Sequence, residues 1–190
     1  MKAIKCVFVG DEAAKKTGVL DVFTNQSQGS NKYDDFEKKV QVDGVDVTLH
    51  LFDAPSQADF KQYSDADVFI LCFSLVSPAS LNNIEKIYTP AIKEACPNAH
   101  LLLVGTCINE RNDLTDHPEE NKTEGMEPIM QSTGEEMKQK INATDYIECS
   151  ISHNININTI FEQAVRSITG TKPEENEKHN HHDKKDCLIC

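Results

Sequence analysis

Tryptophan is absent from this chain of 190 residues, and cations are scarce: 19 lysines and arginines stand against 31 aspartates and glutamates, a formal net charge of −12. That balance excludes a general nucleic-acid binder, which carries a basic face, and directs attention to protein or small-molecule partners. Long apolar runs are also missing. No stretch of about 18 apolar residues is available to span a bilayer, and the N-terminal MKAIKCVFVG has the short apolar run of a buried strand rather than the layout of a signal peptide. The expected compartment is therefore the cytosol. Internal repeats are lacking. The seven cysteines (Cys6, Cys72, Cys96, Cys107, Cys149, Cys187, Cys190) are odd in number and several lie inside apolar runs, as small buried hydrophobes do, so they are read as reduced thiols. What remains is long enough for one domain with a sizeable core, followed after about Gly170 by a tail too polar to join it.

The body of the chain alternates strand and helix signals. Ala3 to Val9 is a continuous apolar run ending at Gly10, the pattern of a strand buried on both faces that feeds a loop, and Thr17 to Asn25 follows as a helix. Residues 36–52 (FEKKVQVDGVDVTLHLF) read as a hairpin, with a turn at Asp43 and Gly44 and alternation of Val45, Val47, Leu49 and Leu51. Three more short buried runs, 67–75, 100–106 and 145–150, are each followed by a helical pattern such as Pro78 to Cys96 or Asn156 to Ile168. Leu81, Ile84, Tyr88, Ile92 and Ala95 form one stripe of the first of these, which is ordinary core packing. The class is α/β with a mostly parallel sheet. Residues 109–131 form a polar excursion that either carries its own helix or is mobile.

The short stretch GDEAAKKT (10–17) nearly matches the phosphate-binding pattern G-x-x-x-x-G-K-[ST]. Such a loop turns successive backbone N–H groups toward a phosphate, neutralises it with lysine and offers a hydroxyl to Mg²⁺. Lys16 and Thr17 are the right residues in place, but Lys15 stands where a second glycine belongs. Taken with that loop, the order helix, hairpin, D-x-x-x-Q, strand, helix, LLLVGT, insertion, ECS, helix and cysteine tail resembles a Rho-family small GTPase of the Ras superfamily. The likeness covers residues 1–170 and the last four residues and is closest at DVFILCFSLVSPASL (67–81), with the excursion 109–131 falling where Rho proteins carry an extra insert helix. The resemblance implies a P-loop fold of six strands, one of them antiparallel through the hairpin, with helices on both faces. Nucleotide would bind at the carboxyl ends of the strands.

Residue by residue, the resemblance gives Gly10, Lys16 and Thr17 to phosphate, Thr17 and Asp53 to Mg²⁺, and Gln57 to orienting an attacking water. It gives Cys107, Asn109, Ser150 and Ile151 to the base. Departures accompany each part. Lys15 brings a Cβ where backbone should approach phosphate, and Glu12 brings a carboxylate whose repulsion at about 5 Å and an effective dielectric of about 20 is roughly 3 kcal/mol. The first switch, 26–36, is short and offers Ser30 or Asn31 in place of a Mg²⁺-sensing threonine, with Gln28 where an aromatic ring would brace the base. The second switch reads Asp53-Ala54-Pro55-Ser56-Gln57, so Ser56 replaces a glycine and Pro55 stiffens the turn. Asn109 replaces an aspartate that would accept two hydrogen bonds from guanine, a mismatch of roughly 1 to 3 kcal/mol. The bland alternative is an inherited strand-to-helix turn that has lost its ligand.

Cys187-Leu188-Ile189-Cys190 fits a C-a-a-X box at the end of the tail 171–190, implying a prenyl lipid on Cys187. A metal or redox role for the cysteine pair beside His179, His181 and His182 is the alternative. Lys184 and Lys185 are offset by Asp183 and Asp186, so weak, reversible attachment to the cytoplasmic face of a membrane is expected. Two functions stand. One is an atypical Rho-like signalling protein with weakened GTP/GDP binding and hydrolysis, read by protein effectors and regulators through 26–36 and 53–66. The other is a pseudo-GTPase interaction module that binds no nucleotide.

Overall fold

The structure is a computed structural model describing residues 2–25, 34–56, 58–121 and 123–172. Six strands form one sheet in the order β2-β3-β1-β4-β5-β6: β1 (Lys2–Val9), β2 (Asp34–Val42), β3 (Val45–Asp53), β4 (Val68–Ser74), β5 (His100–Thr106) and β6 (Asp145–Glu148). Only the β2–β3 pair is antiparallel; β1 pairs parallel with both β3 and β4, and β4, β5 and β6 continue in the same sense. The hairpin turns at Asp43 and Gly44, both with positive φ (49° and 77°), as a tight turn matched to strand twist requires.

The near-continuous apolar runs are explained by burial on both faces. Ile4, Cys6 and Phe8 of β1, with Val68, Ile70 and Cys72 of β4, point into one core, which α1 (Lys16–Thr24) and α7 (Ile157–Thr169) cover with Val19, Leu20, Phe23, Ile160, Phe161 and Val165. The alternate residues Val7, Val9, Phe69, Leu71 and Phe73 point into a second core. There α2 (Pro78–Asn83), α3 (Thr89–Ala95) and the turn between them lay down Leu81, Ile84, Tyr88 and Ile92, with Ala95 partly buried beside them, the expected stripe. They do not form one regular helix. Five residues, Ile84–Tyr88, form a π segment between them. Pro90 lies just beyond, and a proline removes an N–H and crowds the carbonyl four residues back, a familiar cause of such irregularity.

The polar excursion carries its own helices, α4 (Ile108–Asp116) and the short α5 (Pro118–Asn121). A further helix, α6 (Gln131–Ile141), is not evident in the sequence, because only Met137 and Ile141 of its apolar residues reach the core. Its Gly134 packs directly on Tyr146, whose ring would lie 2.1 Å from a Cβ there. Among the described residues Cys6, Cys72, Cys96, Cys107 and Cys149 are buried free thiols, as expected; Cys187 and Cys190 lie outside the described residues. No helix among the described residues is long and apolar enough to cross a membrane. At the end of the sheet where β1 starts, Arg166 of α7 donates twice to the Asp43 carboxylate, both at 2.9 Å, and Lys2 Nζ donates to Ile168 O at 3.1 Å.

Candidate functional site

The parallel strands end on one edge of the sheet, so the segments after β1, β3, β5 and β6 gather there, where open α/β sheets hold ligands. Gly10 leaves β1 with φ 151°, and a Cβ on it would lie 2.1 Å from the carbonyl oxygen of Cys72. Only glycine lets the loop start this close to β4. A short 3-10 turn, Glu12–Ala14, follows, closed by Lys15 N donating to Glu12 O at 2.9 Å. Lys15 then takes the left-handed conformation, φ 50° and ψ 35°, immediately before α1. The chain thus makes the turn a glycine would have made, at a cost of about 1–2 kcal/mol for a residue with a Cβ.

Because Phe8 of β1 is in register with Asp53 at the end of β3, the carboxylate of Asp53 lies beside the start of α1. Lys16 Nζ pairs with Asp53 Oδ1 at 2.7 Å, and the Thr17 hydroxyl donates to Asp53 Oδ2. The side chains of Lys16 and Asp53 are only 13% and 12% exposed, so the pair is well shielded from solvent. Three of the four residues assigned from sequence to phosphate and Mg²⁺, Lys16, Thr17 and Asp53, are therefore brought together, with Gly10 starting the same loop. Two further tethers hold the same loop. Asn83 Nδ2 donates to Asp11 Oδ2 at 2.7 Å and Tyr88 OH to Asp11 Oδ1 at 2.6 Å, burial and then this bond raising the tyrosine's pKa. Lys15 Nζ donates to Glu110 of α4, a hydrogen bond that raises the lysine's pKa above its usual value. Glu12 itself is exposed. Near-aqueous screening brings its repulsion toward about 1 kcal/mol, well below the figure expected at an intermediate dielectric.

The base side of the crevice is built differently. Cys107 caps α4 with φ 66°, but its thiol is buried and directed at Thr106 Oγ1, 3.7 Å away, and burial raises its pKa. Asn109 Oδ1 accepts from Ser150 Oγ at 2.9 Å. The same hydroxyl accepts from His153 N at 3.2 Å and lies 3.3 Å from Ser152 Oγ. Ile151 packs on the first turn of α1, with its Cδ1 3.2 Å from where a Cβ on Gly18 would be. Arg111 fixes α4 by donating to Glu148 Oε1 at 2.7 Å and to Ile129 O at 3.2 Å.

Beyond Asp53 the chain is pinned to the core. Asp59 Oδ1 accepts from Lys61 N at 3.1 Å to start the 3-10 turn Phe60–Tyr63, and Phe60 buries its ring edge-on to Phe69 and Tyr88. The Cys96 thiol reaches Phe60 O at 3.5 Å and Tyr63 O at 3.4 Å. Gln57, the first-switch positions Gln28, Ser30 and Asn31, and Cys187, where a lipid is expected, lie outside the described residues.

The donor chemistry can be tested against the groups the resemblance implies. Thr17 and Asp53 are adjacent hard-oxygen donors beside an ammonium, which suits Mg²⁺ bound with phosphate oxygens and water as remaining ligands. No group of three or more His, Cys, Asp or Glu is gathered for a metal among the described residues. Guanine fits less well. Asn109 offers one acceptor, already shared with Ser150, and one donor, where guanine's edge presents two donors.

Sequence reasoning missed Asp11, Glu110 and His153. Asp11 lies within GDEAAKKT and Glu110 follows Asn109 directly, so an acid next to an uncompensated Lys15 motif was the available signal. A family model described as "Ras: Ras family" matches residues 5–170 of the chain.

Proposed function

The chain belongs to the Ras family, and from that premise we propose that this small GTPase-like protein is an atypical member of the Rho branch in which GTP/GDP binding and hydrolysis are weakened. Proteins of the family in general bind GTP or GDP with Mg²⁺ and are read by protein effectors and regulators. The observation that carries the reading is the convergence of Lys16, Thr17 and Asp53 while the base-reading Asn109 is turned to Ser150. Lys16 would neutralise β and γ oxygens, and Thr17 with Asp53 would hold Mg²⁺, which would draw charge from the phosphates. Gln57 would orient the attacking water. Cys107, Asn109, Ser150 and Ile151 would line the base poorly, lowering affinity by roughly 1–3 kcal/mol at the mismatched amide alone.

In this reading residues 1–170 form the domain and 171–190 a tail prenylated at Cys187. The protein sits peripherally and reversibly on the cytoplasmic face of a membrane and meets protein partners through 26–36 and 53–66. It has no nucleic-acid partner. A pseudo-GTPase that binds no nucleotide is the second reading, and it is favoured by the pinning of Phe60 and of its carbonyl to Cys96, which ties down a segment that would have to move in a switch. The two readings separate on purified protein. Release by denaturation and chromatography should give substoichiometric GDP, and millimolar GTP with Mg²⁺ should raise the melting temperature. No nucleotide and no thermal shift would leave the pseudo-GTPase; stoichiometric nucleotide would show that binding is not weakened.

A further inference from the structure

The Lys15–Glu110 pair joins two segments that do not neighbour each other in the sheet. Lys15 follows β1 and Glu110 follows β5, and β4 lies between those strands, so the pair reaches across the carboxyl end of β4 at the mouth of the crevice. It is also the more open of the two ion pairs on this loop. The Lys15 and Glu110 side chains are 54% and 37% exposed, against 13% and 12% for Lys16 and Asp53. Exposed pairs are held weakly and are screened by salt, whereas enclosed ones resist both. The Lys15–Glu110 contact is therefore the one an incoming anion can displace. A carboxylate and a phosphate present the same kind of oxygen to an ammonium, so Glu110 occupies Lys15 as an internal stand-in for a ligand anion.

We propose that Lys15 exchanges partners, releasing the Glu110 carboxylate for a phosphate group of an entering polyphosphate, so that Glu110 is an internal competitor that decides which ligands the crevice accepts. Asp11, fixed by Asn83 and Tyr88, holds the start of the loop while Lys15 changes partner at its end. A ligand without an anionic group at that place leaves the Glu110 contact intact and gains nothing from Lys15. The exchange rests on the reading that the crevice takes phosphate, but not on recognition of guanine. It explains how a lysine in a glycine's place can be retained: its side chain supplies a second cation beside Lys16.

The test is isothermal titration of the full chain with inorganic pyrophosphate and Mg²⁺. Glu110→Gln should tighten pyrophosphate binding about three- to fivefold, the range set by an exposed ion pair. Lys15→Met weakens it, and Lys15→Met combined with Glu110→Gln shows no gain from the second change, which a merely structural role for Glu110 would not produce. Raising ionic strength from about 0.05 M to about 0.3 M shrinks the advantage of Glu110→Gln, since screening weakens the competing pair. Unchanged or weaker binding in Glu110→Gln, or no pyrophosphate binding by either protein while circular dichroism shows both folded, overturns the exchange. The expected pyrophosphate behaviour without any GDP or GTP binding leaves the exchange standing and removes the weakened-GTPase reading.

Discussion

At the end of the crevice proposed for phosphate, charged side chains converge on the place where a ligand's charge would lie, whereas at the end proposed for the base polar side chains converge on one another. The difference has a physical origin. A shielded lysine ammonium is costly to leave without a counter-charge, so Lys16 pairs with Asp53 in an arrangement a phosphate and Mg²⁺ can re-use. Hydroxyls and amides are satisfied by any neighbour of the right polarity. Ser150 donates to Asn109, and a ligand there must compete with a bond already made. The two ends therefore differ in kind: charged groups hold an arrangement that an anion can re-use, and neutral groups satisfy one another.

Substitutions test this contrast in descending order of effect. Gly10→Ala removes the ground on which both ends stand, because its Cβ would meet the Cys72 carbonyl at 2.1 Å; a loss of at least about 4 kcal/mol in denaturant unfolding, or failure to fold, is expected. Asp53→Ala strands the shielded Lys16 ammonium and the Thr17 hydroxyl and should cost about 2–3 kcal/mol. Asn109→Ala at the base end should cost about 1 kcal/mol or less by the same measurement; equal losses would erase the distinction. The pair Cys107→Lys and Asn109→Asp restores the stem and the acceptor and should raise GDP affinity by about 2 kcal/mol, near thirtyfold, in a calorimetric titration. No gain would mean that the base end is not what limits binding. Lys15→Gly relieves a left-handed lysine and should stabilise the protein by up to about 1 kcal/mol in denaturant unfolding, with the lost Glu110 pair subtracting a little.

The smallest effect is in alkali. The Lys15 pKa is raised by Glu110, so the pair's stabilisation is fully present below the usual lysine value of 10.5 and is lost as pH rises through the higher folded-state value. Wild type and Glu110→Gln should therefore converge in melting temperature as the pH rises past 10.5 and through the higher folded-state value. A difference that persists there would assign the stabilisation to packing and not charge.

The sequence made the sheet legible because β1, β4 and β5 are buried on both faces and read as apolar runs, while the hairpin announced itself at Asp43 and Gly44. It hid α6, whose contribution to the core rests mainly on Met137 and Ile141, and the π segment, whose residues keep a helical stripe through a change of pitch. In the site, Lys16, Thr17 and Asp53 were legible as motif residues. Asp11 and Glu110 were not, since their partners lie 72 and 77 residues away for Asp11 and 95 for Glu110, distances that only the folded sheet closes.

The clamp of Arg166 on Asp43, with Lys2 on Ile168, fixes the exit of the chain at the edge where the parallel strands begin, opposite the crevice. The last described residues therefore lie against the closed pole, and the mouth of the crevice, where β1, β3, β5 and β6 end, is left uncovered by them.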